Sequence, residues 1–73
     1  DIEGARRRAK ASDKAIKAGK MLGPLHGVPM TIKESFDVAG YPTTWGDPAF
    51  KDTIVGQNSL VVERMLDAGV TLF

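Results

Sequence analysis

At 73 residues the chain is long enough for one small domain, or for a piece of a larger one, and too short for two. It has no Cys and a single His, which excludes disulfide staples and thiolate zinc sites, and no apolar run nears the roughly 20 residues of a membrane span. The net charge of +1 is uneven: residues 1–20 hold seven Lys/Arg against three Asp/Glu, and residues 21–73 hold three against six.

The opening DIEGARRR lacks the apolar core of a signal peptide, and the absence of Cys fits a reducing compartment, so a cytoplasmic protein is expected. The chain starts on Asp1 and stops at Phe73 within an apolar run, and both ends are expected to be cuts. A basic arm can be a nucleic-acid footprint, but no base-reading motif and no aromatic accompanies this one. It reads as the solvated face of a helix, so neither nucleic acid nor a membrane is an expected partner.

Residues 4 to about 18 (GARRRAKASDKAIKA) have helix-favouring composition, with Ile2, Ala5, Ala9, Ser12 and Ile16 forming a thin apolar stripe at spacings of three and four. Asp13 and Lys17 stand in the favourable i,i+4 order, and Gly19 is a natural stop. A stripe made mostly of alanine buries little, so this helix needs a larger body to lie on.

GKMLGPLHGVP, residues 19–29, packs three Gly and two Pro into a loop of fixed path. Its His26 has no carboxylate or thiolate company, which suits a hydrogen-bonding role better than a metal site. From Val28 to Glu34 the sequence alternates as a strand, with Met30, Ile32 and Glu34 on one face and Thr31, Lys33 and Ser35 on the other. Gly40-Tyr41-Pro42 predicts a turn between short extended pieces, and Asp47-Pro48 opens another within the loop over residues 46–57. Asn58 or Ser59 can cap a helix over 60–68, whose Val61, Val62, Met65 and Leu66 recur at helical spacing before Gly69 ends it. VTLF then begins a buried strand. Helix, strand, short hairpin-like loop, helix and start of strand predict an α/β fold with parallel strands covered by helices.

The unusual residue is Lys33, inside an otherwise strand-like run. A lysine there either snorkels to water or is withheld from it. Free lysine has a pKa near 10.4, so about one molecule in 2,500 is neutral at pH 7, and making half of them neutral disfavours the charged form by roughly 4 kcal/mol. Burial can supply that much. A neutral lysine accepts a proton and, once charged, donates it to a leaving amine, which is general acid/base chemistry in search of a nucleophile. Trp45 and Tyr41 are packing residues or pocket walls.

GPLHGVPMTIKESFDVAGYPTTWG, residues 23–46, closely resembles the lysine-bearing segment of the amidase signature family. The basic helix before it and LVVERMLDAGVTLF after it stand in that family's order, so the resemblance covers essentially residues 1–73 as a partial amidase signature domain truncated at both ends. It implies an α/β/α sandwich with a mixed β-sheet. The implied activity is hydrolysis of the C–N bond of linear carboxylic amides by a Ser–cis-Ser–Lys triad, with Lys33 as the triad lysine, no cofactor and no metal. Implied partners are a small-molecule amide substrate and the remainder of the parent chain.

Glu34 replaces the commoner Asp of that family, Asp47 a small hydroxyl residue, and Asn58 an Asp; these differences bear on sub-family and substrate. The serine-rich segment of the family has no counterpart here. Ser12 lies in the basic helix, Ser59 at a helix start and Ser35 beside Lys33, none with a glycine elbow, so the fragment alone is expected to be inactive. The alternative inside the resemblance is the amidase subunit of a glutamine-dependent transfer-RNA amidotransferase. The alternative from another class is a non-catalytic basic binding module.

Overall fold

Helix α1 spans Ile2–Lys17 in the computed structural model, which describes residues 1–73. It starts two residues ahead of the expected Gly4 because Asp1 is its N-cap, with Oδ1 accepting from the Gly4 N–H at 2.8 Å. Glu3 in the first turn and Lys14 and Lys17 in the last suit the helix dipole. The helix ends as expected at Gly19, φ +74°, where Lys20 N donates to Ala15 O and Gly19 N to Ile16 O in a Schellman arrangement.

The buried side of α1 differs from the predicted stripe. Gly4 and Ser12 are buried, whereas Ile2 and Ile16 are 72% and 47% exposed. What packs here is a flank of small residues lying against strand β2 (Thr71–Leu72). Arg8 Nε donates to Leu72 O at 2.8 Å, and the Ser12 and Thr71 hydroxyls meet at 3.4 Å in buried surroundings. Polar contacts with the strand, more than apolar area, set the orientation of this helix.

The chain divides into two compact units, Asp1–Thr31 with Arg64–Phe73, and Ile32–Glu63. In the first, strand β1 (Pro29–Met30) pairs with β2 in parallel, Pro29 opposite Thr71 and Met30 opposite Leu72. The pairing extends backward through Gly27 N to Gly69 O and Leu25 N to Ala68 O, both 2.8 Å. The approach is so close that a Cβ on Gly23 would collide with the Ala68 carbonyl, and one on Gly69 would stand 3.0 Å from His26 Cα. Glycine is required at both positions by backbone crowding.

The predicted strand over 28–34 is therefore too long. The strand covers Pro29–Met30, and the chain then turns, with Phe36 N donating to Lys33 O at 3.0 Å. Lys33 sits on that turn, not inside a strand. Alternation in sequence marks which faces could pair; a strand exists only where a partner supplies the other half of the ladder.

In the second unit, an antiparallel bridge between Pro42 and Ile54 closes an excursion held by Gly40 N to Val55 O at 2.9 Å and Thr43 N to Thr53 O at 3.1 Å. Its tip, at the turn predicted from Asp47-Pro48, is a 3₁₀ turn, Pro48–Phe50, and Asp47 caps it with Oδ1 accepting from Ala49 N at 2.8 Å. Helix α2 spans Leu60–Asp67 and buries Val62. Neither expected side-chain cap forms. Asn58 Oδ1 accepts from Ala39 N at 2.7 Å, and the Ser59 hydroxyl is buried without a partner. Backbone needs in the 37–39 segment take the Asn58 group that would have capped the helix. Gly69, φ +95°, ends α2 in the same Schellman pattern as α1, with Val70 N to Met65 O and Gly69 N to Leu66 O.

Two helices and a two-stranded parallel sheet make this the α/β arrangement the sequence predicts. Its apolar core is small: Val62 and Val70 are the buried aliphatics, while Phe36, Trp45, Leu60 and Phe73 are among twelve large apolar residues left exposed. No helix is long and apolar enough to cross a membrane.

Candidate active site

Lys33 is exposed at the first position of the turn that ends on Phe36. Its side chain lines a cleft of about 310 Å³ together with Glu34, Ser35, Trp45 and Gly46. The lysine segment and the TTWG segment, well separated in sequence, thus line one recess. The excursion over 40–55 that carries Trp45 and Gly46 is closed at its base by the Pro42–Ile54 bridge.

The second wall is a tight turn of its own. Asp47 N donates to Thr44 O at 2.9 Å, and Gly46 N reaches the Thr44 hydroxyl at 3.3 Å. Trp45 and Gly46 at its centre both have positive φ, +56° and +75°, the pattern of a type I′ turn. Gly46 suits that conformation; Trp45 is the only non-glycine residue with positive φ. Sequence patterning missed this feature. The usual flag is Asn-Gly or Asp-Gly, and a Trp-Gly pair hides the same turn behind an aromatic.

Ser35 is half-buried in the same cleft, two residues from Lys33. Ser12 lies elsewhere, buried against Thr71. The cleft thus brings together an amine, a carboxylate, one hydroxyl and an indole.

His26 takes a hydrogen-bonding role. The Leu22 N–H donates to Nδ1 at 3.0 Å, so the ring proton belongs on Nε2, which donates to the Ser12 carbonyl at 2.9 Å. The ring pins the 20–28 loop to α1. No three His, Cys, Asp or Glu side chains gather in a way that would hold a metal ion. Of the three consecutive arginines, Arg6 pairs with Glu3 at 3.4 Å and Arg8 with Asp1 at 3.6 Å. Arg8 is a structural residue by virtue of its bond to Leu72 O, leaving Arg7, Lys10, Lys14 and Lys17 as the exposed basic face.

A family model described as Amidase matches residues 1–73. Over 72 residues the chain is 39% identical to a glutamyl-tRNA(Gln) amidotransferase subunit of Acidothermus cellulolyticus, covering 99% of this chain and 14% of that protein. Over 69 residues it is 45% identical to an acylamidase of Rhodococcus erythropolis, covering 94% and 14%. An amidase of Pseudomonas putida is 43% identical over 68 residues, covering 93% and 14%. A solved structure, described as a vestigial protein complex that reveals the evolutionary origins of an s-triazine catabolic enzyme, superposes with a TM-score of 0.87 at 32% identity, covering 99% of this chain and 16% of that one. The chain therefore spans about one seventh of the length of these curated relatives, 14% in each case.

Proposed function

This chain belongs to the amidase family, and from that footing we propose that it is the lysine-bearing part of an enzyme that hydrolyses the C–N bond of linear carboxylic amides. Residues 1–73 are then a portion of an amidase signature domain, and β1 and β2 are two strands of a larger mixed sheet sandwiched between helices. The observation that carries the proposal is the family match over all 73 residues, which include Lys33. The exposed large apolar residues support a parent body that covers them.

In the proposed reaction Lys33, as the free amine, takes the proton of a bridging serine. That serine takes the proton of a second serine, whose oxygen attacks the amide carbonyl carbon. The tetrahedral oxyanion is held by backbone N–H donors. As the C–N bond breaks, the proton returns from Lys33 through the bridging serine to the leaving nitrogen. Water then releases the acid from the acyl-enzyme by the same proton route reversed. Both serines come from the rest of the parent, and the cleft beside Lys33 is where they and the substrate approach.

The test is Lys33→Ala in the full-length protein. A loss of about 10³-fold or more in kcat/KM on simple amides, with the fold retained, is expected, the scale of a removed general acid/base with its dependent nucleophile. A variant within tenfold of wild type would refute the role.

The relative from Acidothermus cellulolyticus favours a second reading, in which the same lysine serves the amidase subunit of a glutamine-dependent transfer-RNA amidotransferase. Ammonia release from glutamine that depends on added partner subunits distinguishes it from a free-standing amidase. A basic binding module is the weaker reading, because Arg6 and Arg8 have partners inside the chain.

A further inference from the structure

We infer that Trp45 is a specificity wall of the cleft beside Lys33, holding the apolar group, aryl or alkyl, of the amide substrate. The inference rests on the reading of Lys33 given above.

Two observations converge on this tryptophan. Its backbone is left-handed, φ +56°, at the first central position of a turn where Asn, Asp or Gly would be unstrained. Its side chain lines the same recess as Lys33, Glu34 and Ser35. Local backbone preference argues against tryptophan here, and residues held in such conformations gather at functional sites. The neighbouring groups leave few other roles. Lys33 and Glu34 bring an amine and a carboxyl group to the recess and Ser35 one hydroxyl, so the indole is its one large apolar surface. A flat, polarisable wall next to the proton-transferring amine selects an amide whose acyl or amine substituent is apolar over one that is small and hydrophilic.

The turn geometry supplies a discriminating variant. Trp45→Asn removes the indole but is a residue the left-handed position favours, so the protein should fold with no fall in melting temperature. The assay compares kcat/KM for benzamide and acetamide in the full-length protein and in its Trp45→Asn and Trp45→Phe variants. The benzamide-to-acetamide ratio is expected to drop roughly 30-fold in Trp45→Asn, the scale of one lost apolar or stacking contact, and to stay within about threefold of wild type in Trp45→Phe. Equal losses on both amides, or a lower melting temperature with the ratio unchanged, would make Trp45 a packing residue and overturn the inference.

Equilibrium dialysis of benzamide against the Lys33→Ala protein, with and without Trp45→Asn, reads the wall apart from turnover. Kd should weaken by a similar factor, and an unchanged Kd overturns the wall. Should Lys33→Ala retain turnover, the catalytic assignment falls while the dialysis still decides the role of Trp45.

Discussion

Gly19 and Gly69 occupy the same position in the same helix-ending motif, yet replacing each by alanine should have very different consequences. At Gly19, φ +74°, a new Cβ has nothing within 4 Å. The substitution meets only the left-handed penalty of about 1–2 kcal/mol, partly offset by the roughly 0.4–1 kcal/mol that a less flexible unfolded chain returns. A net loss near 1 kcal/mol is expected. At Gly69, φ +95°, the same Cβ stands 3.0 Å from His26 Cα and 3.2 Å from both Gly23 N and His26 N. All three are backbone atoms, so no side chain can swing aside. Relief requires the 23–27 loop to retreat, which strains the 2.8 Å bonds from Leu25 N to Ala68 O and from Gly27 N to Gly69 O. Crowding of this kind adds about 1–3 kcal/mol, bringing Gly69→Ala to about 3 kcal/mol. Urea denaturation of the full-length protein, with m-values compared to confirm a common unfolding transition, measures both. The expected difference is about 2 kcal/mol. Two variants agreeing within about 0.5 kcal/mol would show that crowding at Gly69 is not what ties the β1 loop to the end of α2.

His26→Ala removes both the acceptor for Leu22 N–H and the donor to Ser12 O, and should destabilise by about 1–3 kcal/mol in the same denaturation assay; a loss under about 0.3 kcal/mol would deny the loop its anchor. Ser59→Ala should act in the opposite direction, neutral to about 1 kcal/mol stabilising, because its hydroxyl is buried with no partner. Destabilisation by more than about 1 kcal/mol would show that the hydroxyl is satisfied in the parent. The isolated 73-residue chain should release no ammonia from benzamide or acetamide at any pH, measured by a coupled ammonia assay, since Ser35 has neither a base arrangement nor an oxyanion site; measurable turnover would contradict that.

The helices and their stops were legible because they depend on neighbours in sequence. Gly19 and Gly69 each close a helix through bonds between near neighbours in the chain, and composition alone marks such positions. The parallel pairing of β1 and β2 followed from strand–helix–strand order. The extent of β1 did not, because alternation from Val28 to Glu34 does not show that the chain turns at Lys33, where Phe36 N donates to Lys33 O. The buried flank of α1 was misplaced for a related reason. Periodicity ranks residues by hydrophobicity, whereas this contact is made by polar groups, the Arg8 guanidinium reaching Leu72 O and the Ser12 hydroxyl meeting that of Thr71. The cap at Asn58 failed because its side-chain oxygen is already engaged by Ala39 N, ahead of the helix terminus. In the candidate site, Lys33 stood out as a charge in an apolar run. The left-handed Trp45 could not, since a tryptophan in a type I′ turn violates the pattern by which such turns are recognised.

Exposure of Lys33 bears on the proposed mechanism. The proposed mechanism needs a free amine, and withholding water from a lysine favours its neutral form. Within these residues the amine stands on a turn at the rim of a cleft, and the large apolar surface beside it is the Trp45 indole. A substrate laying an apolar group on that indole would displace water from the lysine's own surroundings, so substrate binding and amine desolvation become partly the same event. On this account the loss in Trp45→Asn with benzamide divides between KM and kcat, because an ill-fitting substrate leaves water beside the base in the transition state as well as in the ground state. A loss confined to KM would assign the desolvation wholly to protein on the far side of the cleft. The division between the two constants, measured in one variant, therefore tests whether Trp45 shields the proposed base from water.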